Sequence, residues 1–339
     1  MALDVKVKIN LTKPIGRAGF GFPLFVAEAV TNDDTKMVVP AIDYTVCSSL
    51  DDLISKGVGT DTDLYKSVAL LLSQNNAPEK FAICVIGKDA DFDTVVEGIS
   101  NYEWRQLILV GFANSVEAIS EYIETTEFKM FFTSVTDEGN ATNLKTRDRT
   151  VVMFYDKDTQ GARPEAALVG ATAGLDVGSF TYKNIILKGL DPIEKSDTEI
   201  DDLSQNNVIT VVEKAGDIVT TEGKSMNGEY IDVIDSKDYV VQQIAYRTQK
   251  LLNQSAKIPY TNSGIAMLES VTVDVLKDCY NKDMIATNED GSPAYSVAFA
   301  LREDSDKTDI ANRRYIGGKF AFKIAGAIHE AEITGEITL

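Results

Sequence analysis

Between residues 81 and 175 the chain reads FAICVIG (81–87), FDTVVEGISNY (92–102), QLILVGFA (106–113), SVEAISEYIE (115–124), MFFTSV (130–135), RTVVMFYD (149–156) and RPEAALVGATAGL (163–175). Short apolar runs alternate with amphipathic segments. That order of strand and helix predicts a largely parallel sheet covered by helices, the signature of an α/β domain. Ser115, beside Asn114, is placed to cap one of the helices, and Pro164 suits the first turn of another.

Outward from this core the pattern changes. Upstream, KPIGRAGFGFP (13–23) carries Pro14, Gly16, Gly19, Gly21 and Pro23 and reads as a linker. Before it, in LDVKVKINLT (3–12), Leu3, Val5, Val7, Ile9 and Leu11 alternate with Asp4, Lys6, Lys8 and Asn10. This is the two-residue period of a half-buried strand. The other terminus, HEAEITGEITL (329–339), repeats it: Ala331, Ile333, Ile337 and Leu339 point one way, Glu330, Glu332, Thr334, Glu336 and Thr338 the other. A strand edge must pair with something, in its own chain or in another. Basic residues on one terminal strand and acidic ones on the other make the two suitable neighbours.

Downstream, residues 206–236 (NNVITVVEKAGDIVTTEGKSMNGEYIDVIDS) read as short strands joined by glycine turns. Helical spacing follows at Val241, Ile244, Ala245 and Leu251, and again at Ile265, Leu268, Val275 and Cys279. Alternation returns at Tyr295, Val297, Phe299 and Leu301, and residues 320–328 suit a strand or a helix equally. The expected divisions are an arm and linker at 1–20, an α/β domain at 21–180, a β-hairpin and helical part at 181–325, and a second arm at 326–339.

Composition bounds the function. The chain has 339 residues, 44% of them hydrophobic, and a formal net charge of −19. Without clustered Lys and Arg it is no general binder of nucleic acid, and proteins are the expected partners. No stretch approaches the ~18 apolar residues of a membrane span, and no secretory leader is recognisable, so folding in the cytoplasm is expected. Cys47, Cys84 and Cys279 are isolated and read as buried thiols.

Motifs for chemistry fail one by one. Gly223, Lys224 and Ser225 imitate the end of a phosphate loop, but the earlier glycine that it needs is replaced by Ile218. A calcium loop starting at Asp89 would have Thr94 where glycine is required and Ser100 where a bidentate glutamate is required. Asp89 and Asp91 after a strand are the only candidates for a phosphatase-type enzyme, and aspartates at a helix start serve more simply as caps and dipole partners. His329 is the single histidine, and no GxSxG elbow accompanies it. No catalytic residue, metal or cofactor is expected.

The stretches 187–265 and 295–339 resemble the sheath proteins of contractile phage tails and of phage-tail-like particles. Residues 49–87 (SLDDLISKG … FAICVIG) resemble the helix-loop-helix that precedes a strand in that family. The resemblance rests on the order and spacing of these three stretches. It implies hexameric rings stacked around an inner tube, a baseplate and a tail terminator as further partners, and terminal arms that donate strands to neighbouring subunits. On that reading Leu3, Val5, Lys6, Val7, Lys8, Ile9 and Leu11 form one arm. Ala331, Glu332, Ile333, Glu336, Ile337 and Leu339 belong to the other. The chain is short for the family, with room only for a compact core. Two other readings stay open: the phosphatase-type enzyme, and a different self-assembling ring protein.

Overall fold

The computed structural model of the protein describes residues 5–6, 21–32, 37–87, 91–126 and 128–331. Its elements begin with the short strand β1 (Val5–Lys6). Then come β2 (Leu24–Glu28), β3 (Val30–Asn32), β4 (Met37–Val39), β5 (Ile42–Cys47), α1 (Leu50–Ser55) and α2 (Asp63–Leu72). Next are β6 (Phe81–Ile86), α3 (Phe92–Ile99), β7 (Gln106–Val110), α4 (Val116–Glu124), β8 (Met130–Val135), β9 (Thr150–Phe154) and α5 (Glu165–Thr172). The remainder is α6 (Asp197–Gln205), β10 (Val211–Lys214), β11 (Asp217–Thr220), α7 (Ile231–Gln254), α8 (Asn262–Asn281), β12 (Tyr295–Phe299), α9 (Lys307–Ala311) and β13 (Gly318–Phe322).

The chain divides into two compact units. One comprises Gly19–Asp176 and Phe180–Ile234, the other Met1–Ala18, Val177–Ser179 and Asp235–Leu339.

In the α/β unit six strands lie in the order β5-β6-β2-β7-β8-β9, with every pair parallel except β5 with β6. The parallel strands are doubly wound around β2: the chain goes from β2 to its neighbour β6 on one side, then returns to β7 on the other. Alternate residues of β6 feed two cores. Phe81, Ile83 and Val85 join one layer with Leu64, Val68, Leu71, Leu168 and Val169 of α2 and α5. Ala82, Cys84 and Ile86 join the other with Val96, Ile99, Ile119 and Ile123 of α3 and α4. Unbroken apolar strands are therefore what a sheet between two helical layers requires. The α5 sequence is rich in Ala and Gly because it crosses α2 closely: a Cβ at Gly170 would collide with the Leu71 carbonyl oxygen.

Local signals set the helix starts. Ser49 and Asp52 form a capping box at α1, Thr62 caps α2, and Ser196 with Glu199 forms a second capping box at α6. Ser115 does not cap α4. It ends a 3-10 turn in helical conformation and makes no side-chain cap bond. Pro164, by contrast, stands immediately before Glu165, the first residue of α5.

The division expected near residue 180 falls elsewhere, because residues 180–234 complete the α/β unit. Ile209 bridges Met153 in parallel, accepts a hydrogen bond from Phe154 N–H at 2.8 Å and donates to Val152 O at 2.9 Å. Leu187, Leu190, Ile193, Leu203, Val208 and Val211 are buried in the α2/α5 core. The hairpin of β10 and β11 turns at Ala215 and Gly216, both at positive φ. That is the turn whose twist suits two strands joined by two residues. The segment 231–236, expected as strand, is instead the first turns of α7. Ile231 and Ile234, three apart, are both buried, as a helix face demands.

The second unit holds α7 from Asp235 onward, α8, α9 and a small antiparallel sheet ordered β1-β13-β12. Its core is Val240, Ile244, Val275, Leu276, Cys279, Met284, Ile285 and Phe322, with Tyr295, Val297 and Phe320 packed against it.

Candidate assembly interface

The small sheet is where terminal strand and candidate site meet. Strands β12 and β13 share five register pairs, from Tyr295 with Phe322 to Phe299 with Gly318. The alternation expected for Tyr295, Val297, Phe299 and Leu301 is realised over the first three, which lean inward while Ser296 and Ala298 are exposed; Leu301 lies beyond the end of β12 and is exposed. Residues 320–328, which suited a strand or a helix, resolve into the end of β13 and a run without regular secondary structure. Ile324 makes one further bridge, to Ile285.

The connection from β12 to β13 is braced at several points. Asp306 caps α9 by accepting from Thr308 N–H at 2.7 Å. Arg314 donates to Asp309 through Nη2 at 2.8 Å and Nε at 3.1 Å. The Tyr315 hydroxyl donates to Ala300 O at 2.9 Å, and burial pushes its pKa up to about 12. Phe299 stacks on Tyr315 at 5.8 Å, and a Cβ at Gly318 would lie 2.8 Å from the Phe299 ring. The β12–β13 hairpin is thus held together by bonds that do not involve β1.

Against β13 lies β1, antiparallel, with Val5 opposite Phe322 and Lys6 opposite Ala321. Phe322 is fully buried, so this pairing sits directly over the core of the unit. The remaining residues expected in the N-terminal arm (Leu3, Val7, Lys8, Ile9, Leu11) lie outside the described residues, as do Glu332, Ile333, Glu336, Ile337 and Leu339 of the other arm. Ala331 is exposed and has no regular structure. The structure therefore brings the N-terminal strand to β13 and describes no pairing between the two arms. Sequence reasoning recognised β12 by its alternation, but did not single out β13 as the strand that receives the N-terminus.

Of the residues weighed for chemistry, Lys224 and Asp91 have side-chain partners. Lys224 pairs with Glu222 at 3.3 Å and lies 5.1 Å from the Tyr230 ring centroid, and Ser225 is fully buried. Asp91 stands at the start of α3 and accepts from the Thr94 hydroxyl at 2.5 Å, making no cap bond to the helix backbone. Asp89 lies outside the described residues. In a doubly wound sheet a ligand would sit where the strand order reverses, beyond the ends of β2 and β7. There Gly111 stands with its Cβ position 3.5 Å from the Glu28 Cβ, and Phe112 packs on Phe92 at 4.6 Å. Among the described residues no group of three His, Cys, Asp or Glu could hold a metal ion, and no helix is long and apolar enough to cross a membrane.

Two sets of buried titratable groups belong to the scaffold. All three cysteines are buried, and burial raises the Cys84 and Cys279 thiols to about 11, which leaves them unreactive. Lys129 donates to Trp104 O at 2.6 Å and Tyr102 O at 2.8 Å and lies over the Trp104 ring. Burial, and then the nearby Arg105 guanidinium, lower its pKa to about 7.

Comparison with known proteins follows from this geometry. No family model matches the sequence, and no curated protein does. Solved structures do. A chain from the PVC sheath complex of an extracellular contractile injection system, in its contracted state, matches with a TM-score of 0.71. That match covers 100% of this chain and 98% of the other at 13% identity. This chain has the fold of contractile sheath proteins. The helical sheath of the anti-feeding prophage in its contracted state carries the same fold over 99% of this chain and 98% of its own, with a TM-score of 0.69 and 14% identity. A sheath tail protein from Listeria innocua matches 84% of this chain with a TM-score of 0.57 at 9% identity. The sheath fold thus spans both units, including the sheet that receives β1.

Proposed function

We propose that the chain is the structural subunit of a contractile sheath. Copies assemble as stacked hexameric rings around an inner tube, on a baseplate and under a terminator, and contraction drives the tube through a cell envelope. The observation that carries this reading is the likeness in fold, over essentially the whole chain, to two sheaths of contractile particles. Free energy comes from the new interfaces that copies form with one another as the lattice contracts, and the subunit itself catalyses no reaction. The particle is a bacteriophage tail or a phage-tail-like injection particle, assembled in the cytoplasm of a bacterial host.

Strand exchange supplies the links between copies. An N-terminal arm paired with its own β13 and one paired with a neighbour's β13 make the same register pairs, so the two states differ little in energy. The arm alone is too weak to order itself: five apolar side chains contribute about 1.5 to 3 kcal/mol each when buried. Fixing some ten residues costs about 1 to 2 kcal/mol apiece. A prebuilt acceptor sheet resolves this balance, and head-to-tail donation generates rings and helical arrays. The C-terminal arm, residues 330–339, joins the same sheet with Glu332 and Glu336 facing Lys6 and Lys8.

Electron microscopy of the purified protein, with and without tube, tests the reading. Tubes or stacked rings are expected. Monomers alone contradict it, and closed single rings favour a different self-assembling ring protein.

A further inference from the structure

Charge is divided between the two units very unevenly. The unit formed by residues 1–18, 177–179 and 235–339 contains 16 of the chain's 33 Lys and Arg and 16 of its 52 Asp and Glu, a net charge of zero. The α/β unit holds the other 17 basic and 36 acidic residues and so carries the entire net charge of −19. Exposed large hydrophobic side chains among the described residues divide evenly, Val30, Val46, Ile54, Tyr102 and Ile186 in the α/β unit and Leu252, Met267, Leu301, Ile316 and Ile328 in the neutral unit, although the neutral unit is the smaller; its Ile328 at 90% and Ile316 at 65% are the most exposed of them.

Two copies that meet through their α/β units bring together surfaces of the same sign, and such a field opposes association. A neutral unit with exposed apolar side chains meets no such barrier. Resting on the sheath reading above, we propose that the α/β unit is an electrostatic spacer and that copies associate through the neutral unit, so that added salt drives assembly. The partner of the neutral surface is a second copy of this chain. The sign is informative, because the pairs of Lys6 and Lys8 with Glu332 and Glu336 proposed for the arms act the other way and weaken when salt is added, so assembly driven by salt means that the repulsion between α/β units outweighs them. The range of the repulsion falls from about 30 Å at 0.01 M salt to about 8 Å at 0.15 M, so the response is concentrated between those concentrations.

The test is the critical concentration for assembly of the full chain, measured by sedimentation at 10 mM and 150 mM NaCl. For the unaltered chain it should fall about tenfold across this range as repulsion is screened. A variant with Asp201→Asn, Asp202→Asn, Glu213→Gln and Asp217→Asn removes four exposed charges from the α/β unit, none with a side-chain bond of its own to lose. It should assemble more readily at 10 mM and show a smaller salt response. A second variant, Asp274→Asn, Asp283→Asn, Glu289→Gln and Asp304→Asn, removes four exposed charges from the neutral unit and should keep the full response. Assembly weakened or unchanged by salt, or equal effects of the two variants, overturns the spacer while leaving the sheath reading standing. Absence of any polymer at either salt concentration overturns both.

Discussion

Strands β1 and β2 are neighbours in chain order and opposites in commitment. β2 shares five register pairs with β6 and four with β7, and its Leu24, Phe25 and Val26 are wholly buried. β1 shares two pairs with β13, and β13 is already joined to β12 by five on its other side. Removing β2 would open both cores of the α/β unit. Removing β1 leaves the five register pairs of β12 with β13 and the braces of their connection in place. A strand at the edge of a prebuilt sheet can be lent to another copy, whereas one in the middle of a doubly wound sheet cannot.

The sharpest break of that contrast is deletion of residues 1–12. It should abolish polymerisation while leaving a soluble chain that unfolds cooperatively, as read by sedimentation and thermal melting. Loss of the folded monomer would mean that β1 belongs to its own unit. Phe25→Ala is the counterpart in β2. It should cost about 3 to 5 kcal/mol in urea unfolding, because a fully buried ring is replaced by a cavity.

How much of this was legible in the sequence follows the same contrast. The strands from β6 to β9 stood out as short apolar runs, with amphipathic helices after β6 and β7; a 3-10 stretch follows β8, and α5 after β9 is buried on every residue. β2 did not, although residues 24–27 (LFVA) are equally apolar. It follows a stretch rich in Gly and Pro that reads as linker, and no helix succeeds it before the β3–β4 hairpin and β5. A run of four apolar residues has no period from which to read it. β5 was hidden by its bulge between Ile42 and Thr45, which breaks the alternation. In the candidate interface, alternation identified the N-terminal strand and β12. Periodicity says which face of a strand is buried. It is silent on which strand, or which chain, provides the neighbour.

A subtler contrast lies in pH. Lys129 holds the loop carbonyls of Tyr102 and Trp104 in the α/β unit, and its pKa is lowered from 10.5 to about 7. Above pH 7 the folded chain gives up this proton while the unfolded chain keeps it, so stability rises with pH, by at most about 1.4 kcal/mol per pH unit. The window closes near pH 8.5. Above it the Cys84 and Cys279 thiols, at about 11 when folded, act in the opposite direction because the unfolded chain loses their protons first. Denaturant midpoints between pH 7 and 8.5 should rise for the native chain and flatten for Lys129→Met. An unchanged slope in the variant would assign the pH response to other groups.

The smallest effect on the isolated chain is expected from the arms. Under the proposed pairing of the two arms, Lys6→Glu with Lys8→Glu would place like charges beside Glu332 and Glu336, at about 0.2 to 1 kcal/mol per exposed pair. Monomer melting should scarcely move, but the penalty recurs at every joint of a polymer. Assembly should fall, recover on adding Glu332→Lys and Glu336→Lys, and recover partly in high salt. Failure of the double reversal to restore assembly would show that the two arms are not neighbours.

The claim that matters most is that the N-terminal strand crosses between copies, and a cross-link reads it directly. Lys6 and Ala321 are register partners, and the three native cysteines are buried, so cysteines introduced at those two positions would report the pairing. Chains bearing only Lys6→Cys are mixed with chains bearing only Ala321→Cys, assembled, oxidised and separated on a non-reducing gel. Exchange predicts a covalent dimer of one chain of each kind, formed in the polymer and scarce in unassembled protein. If the polymer yields no such dimer, while a single chain carrying both cysteines closes an internal disulfide after assembly, β1 stays at home and the account is wrong.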